Sequence, residues 1–229
     1  MYIANLYASK DIYFNCVIFA QLNQIMKAII FDMGGVLVDL DMDACRDAFR
    51  NDLGFKEIDQ ILDPCHQKGV IGDMEEGMVS AEEFREYVLA RSFEGMTDED
   101  VNNAFAKILV GIDPRKIELL KRLSADYDIY MLSNNNPIAH PFAEQMFEDA
   151  GFSMKTDFKK CYMSYQMKML KPSEAFYKAV MEDIGIPASE MLFIDDSQRN
   201  VDASVAAGLP AIYYKPGTDL AALIDSISF

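Results

Sequence analysis

Hydrophobic positions along the chain form short runs separated by longer segments with helical periodicity. After residue 26, five runs of four to six residues are predominantly apolar, which is typical of strands buried in a parallel sheet. They predict strands at 27–31, 127–132, 160–163, 191–194 and 211–214. Because helical segments alternate with these runs, the pattern predicts an α/β fold in which helices cover both faces of a parallel sheet.

The helical segments of the second half carry start and stop signals. Asp113 and Pro114 are expected to be the N-cap and first residue of a helix that runs to residue 123. Gly185 and Gly208 stand where helix ends favour glycine. Further helices are predicted at 141–150, 173–184, 198–207 and 219–227.

The segment from 42 to 111 differs from the rest because its pattern is helical and contains no strong strand. Ser80 and Glu83 form a capping box at the start of one of its helices. We therefore expect an all-helical cap inserted into the α/β domain, with helices near 44–53, 56–65, 81–91 and 98–110. The predicted division is an N-terminal extension at 1–25, an α/β core at 26–41 and 112–229, and the cap at 42–111.

Residues 1–25 precede MKAIIFDMGGVLV, which begins at Met26 and has the pattern of a domain's opening strand. We expect either an extension from an upstream start codon or a helix packed on the domain, and the sequence does not choose between them. The apolar run 12–22 has neither the basic lead nor the cleavage site of a signal peptide. No run approaches the ~18 apolar residues of a membrane span.

Charge limits the expected partners. The 229 residues include 37 acidic and 21 basic side chains, a net charge of −16, which repels nucleic acids and anionic membranes. An anionic metabolite is still compatible, because a bound cation and local donors reverse the charge inside a cleft. The cysteines show no metal-binding spacing and are expected to be reduced thiols in the cytoplasm: Cys16, Cys45, Cys65 and Cys161.

Polar side chains with chemical potential follow the predicted strands. In an open parallel sheet, ligands bind beyond the carboxyl ends of the strands. Asp32, Ser133 with three asparagines after it, and Asp195-Asp196 all occupy such positions, and Lys171 opens a helix. Carboxylates hold Mg²⁺, a metal and an ammonium neutralise phosphate, and one carboxylate is free to attack phosphorus. The set predicts phosphoryl transfer.

Four segments, FDMGGVLVD, LSNNN, KPS and FIDDSQRN, resemble in order the four motifs of the haloacid dehalogenase (HAD) superfamily, over roughly residues 27–215. The helical insertion is similar to the C1-type cap of that family, and the resemblance implies a Rossmann-like core. The sequence is most similar to the branch of bacterial glucose-1-phosphate phosphatases and the phosphatase domain of soluble epoxide hydrolases. This implies a Mg²⁺-dependent phosphatase that hydrolyses a small phosphorylated metabolite, a sugar phosphate being favoured, through an aspartyl-phosphate.

The resemblance also implies roles for individual residues. Asp32 would attack phosphorus and bind Mg²⁺, and Lys171 would bridge Asp32 and the phosphate. Ser133 and Asn134 would donate to the phosphate or the substrate. The remaining implied positions concern the metal: Gly34 through its carbonyl, Asp196 directly, Asp195 directly or through water, and Asn200 as support for the acidic pair.

Gly34 departs from the usual pattern of the family, which has a second Asp at this position. In phosphatases of the family that Asp protonates the leaving group and later activates water. Losing a positioned proton donor typically costs ~10²- to 10⁴-fold in rate, although a substrate whose leaving group departs without much protonation, such as an anomeric sugar phosphate, loses less. A cap residue or a water could supply the proton. The alternative prediction is a non-catalytic or weakly active binding protein.

Other functions use related chemistry. A haloacid dehalogenase would use Asp32 on carbon and needs no metal, so the acidic pair argues against it. A phosphomutase relies on the acid that Gly34 replaces. A phospho-receiver domain has its acidic pair first in the chain, whereas here the pair comes last, and we reject it.

The expected oligomeric state is a monomer or a homodimer. For some residues the sequence is compatible with two interpretations. Lys168 is the nearest rival of Lys171 as the active lysine. Asp39, Asp41 and Asp43 form either a solvated turn and helix start, or a cluster of which one member contacts the substrate or replaces the missing acid. Gly72-Asp73 and Glu75-Glu76 either line the pocket or form a loop between cap helices. His66 and His140 have no partner at catalytic spacing.

Overall fold

Parallel strands form the central sheet of the structure, a computed structural model that describes residues 26–63 and 69–227. The strands in these ranges are β1 (Ala28–Phe31), β2 (Asp39–Leu40), β3 (Leu109–Gly111), β4 (Asp128–Ser133), β5 (Lys160–Met163), β6 (Met191–Asp195) and β7 (Ala211–Tyr213). Five of them pair in the order β5-β4-β1-β6-β7, all parallel. The β2 and β3 strands pair antiparallel outside this sheet. The predicted α/β class is confirmed.

Helices occupy most of the segments between the strands. They are α1 (Met42–Asp47), α2 (Ile58–Ile61), α3 (Gly69–Glu75), α4 (Ala81–Leu89), α5 (Asp98–Ala106), α6 (Pro114–Leu123), α7 (Ala139–Asp149), α8 (Ser164–Met167), α9 (Glu174–Ile184), α10 (Gln198–Ala207) and α11 (Leu220–Asp225). A π-helical segment, Ala48–Asp52, continues α1, and the 3₁₀ turn Ala188–Glu190 leads into β6.

Several helix ends follow from the local chemistry of their terminal residues. The Asp113 carboxylate accepts the Arg115 N–H at 2.9 Å, and Pro114 is the first residue of α6. Ser80 and Glu83 cap α4 reciprocally, as the sequence predicts. The α9 and α10 helices end on Gly185 and Gly208, which adopt the left-handed conformation expected at such ends.

The central sheet is buried on both faces, as a parallel sheet between two helical layers must be. Alternate residues of β1 point into different apolar clusters. Ile29 and Phe31 join one cluster with α6 and α7, whereas Ala28 and Ile30 join another with α9. This alternation fixes the register of β1, because a shift by one residue would exchange the two faces.

The cap segment contributes most of a separate apolar cluster, which Ile138 and Ala139 of the core join. Phe49 packs edge to face against Phe55, Phe84 and Phe105, with ring centroids 5.8 to 6.3 Å apart. The β2–β3 ribbon lies at the two ends of this segment, where the chain leaves and rejoins the core. The expected boundaries at 42 and 111 stay predictions.

The structure corrects three expectations in and near the cap. The predicted helix 98–110 ends at Ala106, because Leu109–Gly111 pairs with Asp39–Leu40, a long-range contact that local periodicity does not reveal. Residues 69–75 form α3 rather than a loop. The helix expected at 56–65 is helical over Ile58–Ile61. The core contains the additional short helix α8.

The structure gives no description of residues 1–25, 64–68 and 228–229. The expectations for the N-terminal extension, Cys16, Cys65 and His66 therefore lie outside the described residues. Cys45 and Cys161 are free thiols, as predicted. Among the described helices, none has both the length and the apolar character of a membrane span.

Candidate active site

The predicted site residues meet at the carboxyl end of the sheet. Asp32 follows β1, and the neighbouring strands β4 and β6 end in Ser133 and Asp195. Asp32, Ser133 and Asp196 line a cavity of about 180 Å³, to which the cap segment also contributes residues. The three strands are adjacent in the sheet, so these side chains come together as the strand-end argument from the sequence expects.

Asp32 is buried with 7% of its surface exposed. Its backbone N–H donates to the Ile194 carbonyl at 2.9 Å, which continues the pairing with β6. One carboxylate oxygen accepts the Met33 N–H at 2.7 Å and lies 2.9 Å from the Lys171 ammonium. Burial raises the pKa of Asp32 to about 8, and Lys171 opposes this rise. The site therefore needs positive charge to keep Asp32 ionised.

Lys171 lies between two carboxylates and is 2% exposed. Its ammonium donates to Asp195 at 2.8 Å and to the Leu132 carbonyl at 3.1 Å, besides its ion pair with Asp32. Burial lowers its pKa, but the two carboxylates outweigh burial and the net pKa is raised. Lys171 lines the cavity, whereas Lys168 is exposed and does not line it.

Asp195 is fully buried, and both of its carboxylate oxygens already accept hydrogen bonds. One oxygen accepts from the Ser197 N–H at 2.8 Å and from the Asn200 amide at 3.0 Å. The other accepts from Lys171 at 2.8 Å and from the same Asn200 amide at 3.1 Å. This saturation leaves Asp195 little capacity for a further ligand, and it places Asn200 in direct support of the pair.

Asp196 has fewer constraints than its neighbour and lines the cavity. Burial, reinforced by Asp195, raises its pKa to about 6. Gly35 lies against this carboxylate, because a Cβ at Gly35 would fall 2.0 Å from Asp196 Oδ2. Gly35 also has φ +73°, a conformation that favours glycine. The turn after β1 can therefore approach the turn after β6 this closely because residue 35 is a glycine.

The carboxylates of Asp32, Asp195 and Asp196 fit a hard divalent cation. Their ligand oxygens lie within 4.8 Å of one another, and all three donors are carboxylates, the type that Mg²⁺ prefers. One ammonium faces these three acids, so the cluster carries excess negative charge. Burial is the main cause of the raised pKa values of Asp32 and Asp196, and the neighbouring acids add to the rise. A bound cation would offset it.

The loop after β4 builds one wall of the cavity. The Asn134 amide clamps Lys171, accepting its N–H at 2.8 Å and donating to its carbonyl at 3.0 Å. The Asn136 side chain accepts the Ile138 and Ala139 N–H groups at 3.0 and 2.9 Å, where α7 begins. Ser133 is 1% exposed and lines the cavity.

The cap contributes an apolar wall with one acid in it. Glu75, the last residue of α3, lines the cavity, and burial raises its pKa to about 8. The sequence named Glu75 as one of four cap residues that could line a pocket, and no signal singled it out. The apolar part of this wall consists of Leu40, Met42, Leu62, Phe105, Ile108 and Leu109.

Gly34 lines the cavity beside Leu40. A Cβ at Gly34 would lie 2.8 Å from Leu40 Cδ1, so the leucine fills the space that a side chain at this position would need. An apolar side chain therefore occupies the place where the family usually has the side chain of an acid.

Other sequence candidates lie elsewhere. Asp39 pairs with Lys116 at 2.8 Å, Asp41 caps α1 and Asp43 pairs with Arg46, so these acids have structural partners away from the cavity lining. His140 Nδ1 lies 2.8 Å from the Tyr165 hydroxyl and does not line the cavity.

Comparison with known proteins agrees with this geometry. Residues 26–208 match the family model of haloacid dehalogenase-like hydrolases. The chain is 33% identical over 195 residues to the D-ribitol-5-phosphate phosphatase of Bacteroides thetaiotaomicron, which covers 85% of this chain and 94% of the relative.

Solved structures show the same fold. A HAD family enzyme of Bacteroides thetaiotaomicron, in complex with magnesium and inorganic phosphate, superposes with a TM-score of 0.80 at 33% identity, covering 86% of this chain and 98% of that one. A HAD-like family hydrolase of Porphyromonas gingivalis gives a TM-score of 0.80 at 31% identity, covering 88% and 97%. Together with the motif order and the carboxylate cluster, these matches show that the chain belongs to the haloacid dehalogenase-like hydrolase family.

Proposed function

We propose that the protein is a Mg²⁺-dependent phosphoric monoester hydrolase that acts through an aspartyl-phosphate on Asp32. The observation that carries the proposal is the buried Asp32–Lys171–Asp195 set beside Asp196, at a cavity that Asp32, Lys171 and Asp196 line. The Bacteroides relatives support it, one named as a sugar-alcohol phosphate phosphatase and one solved with magnesium and phosphate.

Asp32 and Asp196 would hold the Mg²⁺ directly, with the Gly34 carbonyl beside them. Asp195, whose oxygens are saturated by donors, would reach the metal through water and orient Lys171. When bound, Mg²⁺ neutralises charge on the phosphoryl oxygens and on the nucleophile. The same charge keeps Asp32 ionised in a buried site that otherwise raises its pKa.

The catalytic sequence follows from the positions of the protein groups. The free oxygen of Asp32 attacks phosphorus, while the Lys171 ammonium, 2.9 Å from the other oxygen, orients the carboxylate and stabilises charge on the phosphoryl group. Ser133 and the loop after β4 donate to phosphoryl oxygens, and the Asn134 amide fixes the Lys171 backbone. Water then hydrolyses the aspartyl-phosphate and releases phosphate.

The substrate is a small phosphorylated metabolite, and we favour a sugar or sugar-alcohol phosphate. A cavity of about 180 Å³ is compatible with a small molecule. The ribitol-phosphate relative supports this class, since it covers most of the chain. The cytoplasmic location and the monomeric or homodimeric state stay predictions.

Phosphate release tests this function. We expect release from a panel of sugar phosphates, sugar-alcohol phosphates, nucleotides and p-nitrophenyl phosphate that depends on Mg²⁺ and stops with EDTA. A parallel assay for chloride release from 2-chloropropionate tests the dehalogenase alternative. Chloride release without phosphate release would overturn the proposal, and no release from folded, Mg²⁺-binding protein would favour the non-catalytic alternative.

A further inference from the structure

Cleavage of an alkyl phosphate needs a proton for the departing oxygen, and the cavity offers few sources. Among the described residues, four ionisable side chains line it: Asp32, Glu75, Lys171 and Asp196. Asp32 is the proposed nucleophile and Asp196 a proposed metal ligand. Lys171 is held between two carboxylates, which stabilise its charged form. Glu75 is the remaining group.

We propose that Glu75 is the general acid and base of the reaction, delivered to the site by the cap. This inference rests on the proposed phosphatase function and names the group that exchanges protons within it. Its position is compatible with this role, because Glu75 ends the cap helix α3 and lines the same cavity as Asp32.

Specific contacts hold Glu75 at the cavity. The buried Ser164 hydroxyl donates to the Glu75 carbonyl at 2.6 Å and accepts the Asn135 N–H at 3.0 Å. Ser164 therefore joins the end of α3 to the loop after β4. Two residues beyond Glu75, Gly77 has φ +73°, and a Cβ there would fall 2.2 Å from the Tyr165 carbonyl oxygen. The chain after α3 can approach the core this closely because residue 77 is a glycine.

The electrostatic environment suits a proton carrier. Burial raises the pKa of Glu75 to about 8, with Lys171 opposing and Asp32 reinforcing the shift. A carboxylic acid that lines the cavity can donate its proton to a leaving oxygen, as general acids require. Glu76, its neighbour, does not line the cavity and provides a matched control.

The proton balance closes over the two steps. In the first, the Asp32–phosphorus bond forms, the bond from phosphorus to the ester oxygen breaks, and the Glu75 proton passes to that oxygen to give the alcohol. In the second, a water oxygen bonds to phosphorus, the Asp32–phosphorus bond breaks, and the Glu75 carboxylate accepts one water proton. Glu75 is then a carboxylic acid again, and hydrogen phosphate leaves.

The test compares Glu75→Gln with Glu76→Gln on an alkyl and an aryl phosphate, using kcat/KM. This parameter reports the step that phosphorylates Asp32 and expels the leaving group. For Glu75→Gln we expect a loss of ~10²- to 10⁴-fold with the alkyl ester and a much smaller loss with p-nitrophenyl phosphate, whose oxygen departs without protonation. Glu76→Gln is expected to behave as wild type with both esters.

The quantity compared is the ratio of the loss in kcat/KM with the alkyl ester to the loss with p-nitrophenyl phosphate. Partial misfolding of a variant leaves this ratio unchanged, because inactive protein lowers both rates equally. Equal losses with the two esters, no loss with either, or the same alkyl-specific loss in Glu76→Gln would overturn the role of Glu75. Absence of phosphate release by the wild type from both esters would instead overturn the phosphatase function. A second readout is a burst of p-nitrophenol in Glu75→Gln, expected because hydrolysis of the aspartyl-phosphate loses its base.

Discussion

Lys171 shows how single residues determine the chemistry of the site. Its ammonium lies between Asp32 and Asp195, and its backbone is clamped by the Asn134 amide. Removing one member of such a buried ion-paired set leaves the others with uncompensated charge. The strand-end acids and this lysine could be predicted from the sequence, because each follows a recognisable strand or opens a helix.

Lys171→Met is expected to abolish phosphate release and to destabilise the fold by about 3–5 kcal/mol, since Asp32 and Asp195 lose their shared cation. Urea unfolding and phosphate release measure the two effects. The exposed Lys168 gives the control, because Lys168→Met is expected to change stability by less than about 0.5 kcal/mol and to keep activity. Equal behaviour of the two variants would contradict the assignment of the active lysine.

Gly35→Ala is expected to weaken Mg²⁺ binding, because the new Cβ would overlap Asp196 Oδ2. Isothermal titration with Mg²⁺ measures the change. Gly217→Ala is the matched control, since Gly217 has a similar φ of +79° but no atom within 4 Å of the added Cβ. Wild-type Mg²⁺ affinity in Gly35→Ala would show that Asp196 does not bind the metal.

At the scale of elements, the sequence predicted the sheet and its helices, but it left open whether Glu75 and its neighbours line a pocket or form a loop. The β3 strand exists because it pairs with β2, almost seventy positions earlier. The α3 helix begins with two glycines among its first four residues, a composition of low helix propensity, and its last residue contacts Ser164 far along the chain. Neither long-range contact can be predicted from local periodicity. The position of Glu75 at the cavity could therefore not be derived from the sequence pattern.

Ser164→Ala is expected to loosen the contact between α3 and the core. It removes the hydrogen bonds to the Glu75 carbonyl and the Asn135 N–H, at a cost of about 1–3 kcal/mol for buried groups left unpaired. We expect lower kcat/KM with alkyl phosphates. Ser204→Ala is the control, because Ser204 is equally buried and bonds the Leu209 carbonyl away from the cavity. Equal activity of the two variants would contradict the coupling.

At the scale of the whole molecule, the acidic charge affects stability, Mg²⁺ binding and the binding of an anionic substrate. The net charge of −16 and the carboxylates at the cavity together disfavour an anionic ester. A bound cation reverses the local sign and thereby admits phosphate. The composition and the motifs of the sequence predicted the need for a bound cation. The burial of the acidic side chains, which strengthens this need, depends on the packing of the cap against the core and could not be read from the sequence.

The metal-free protein is expected to carry a pH-dependent penalty at Asp32. The folded pKa is raised from 3.8 to about 8, so between these values the folded state binds more protons than the unfolded state, and stability falls as pH rises. In EDTA, Asp32→Asn should therefore be more stable than wild type at pH 8, with the difference vanishing toward pH 4. Thermal unfolding across this range measures it, and a difference that grows as pH falls would contradict the sign.

Mg²⁺ is expected to remove that penalty in the wild type. Binding at 100 times Kd stabilises by about 2.7 kcal/mol, and the effect should shrink toward pH 5, where protons compete for the carboxylates. Asp196→Asn should abolish the Mg²⁺-dependent increase in Tm. An increase of wild-type size in that variant would place the metal elsewhere.

The most direct test of the central claim is phosphate release by Asp32→Asn with the best substrate of the panel and saturating Mg²⁺. Asparagine keeps the size of the side chain but cannot attack phosphorus. The account predicts that release falls by about 10⁴-fold or more, as expected for loss of a catalytic nucleophile, while the fold is retained. Mg²⁺-dependent release near the wild-type rate would contradict the aspartyl-phosphate route.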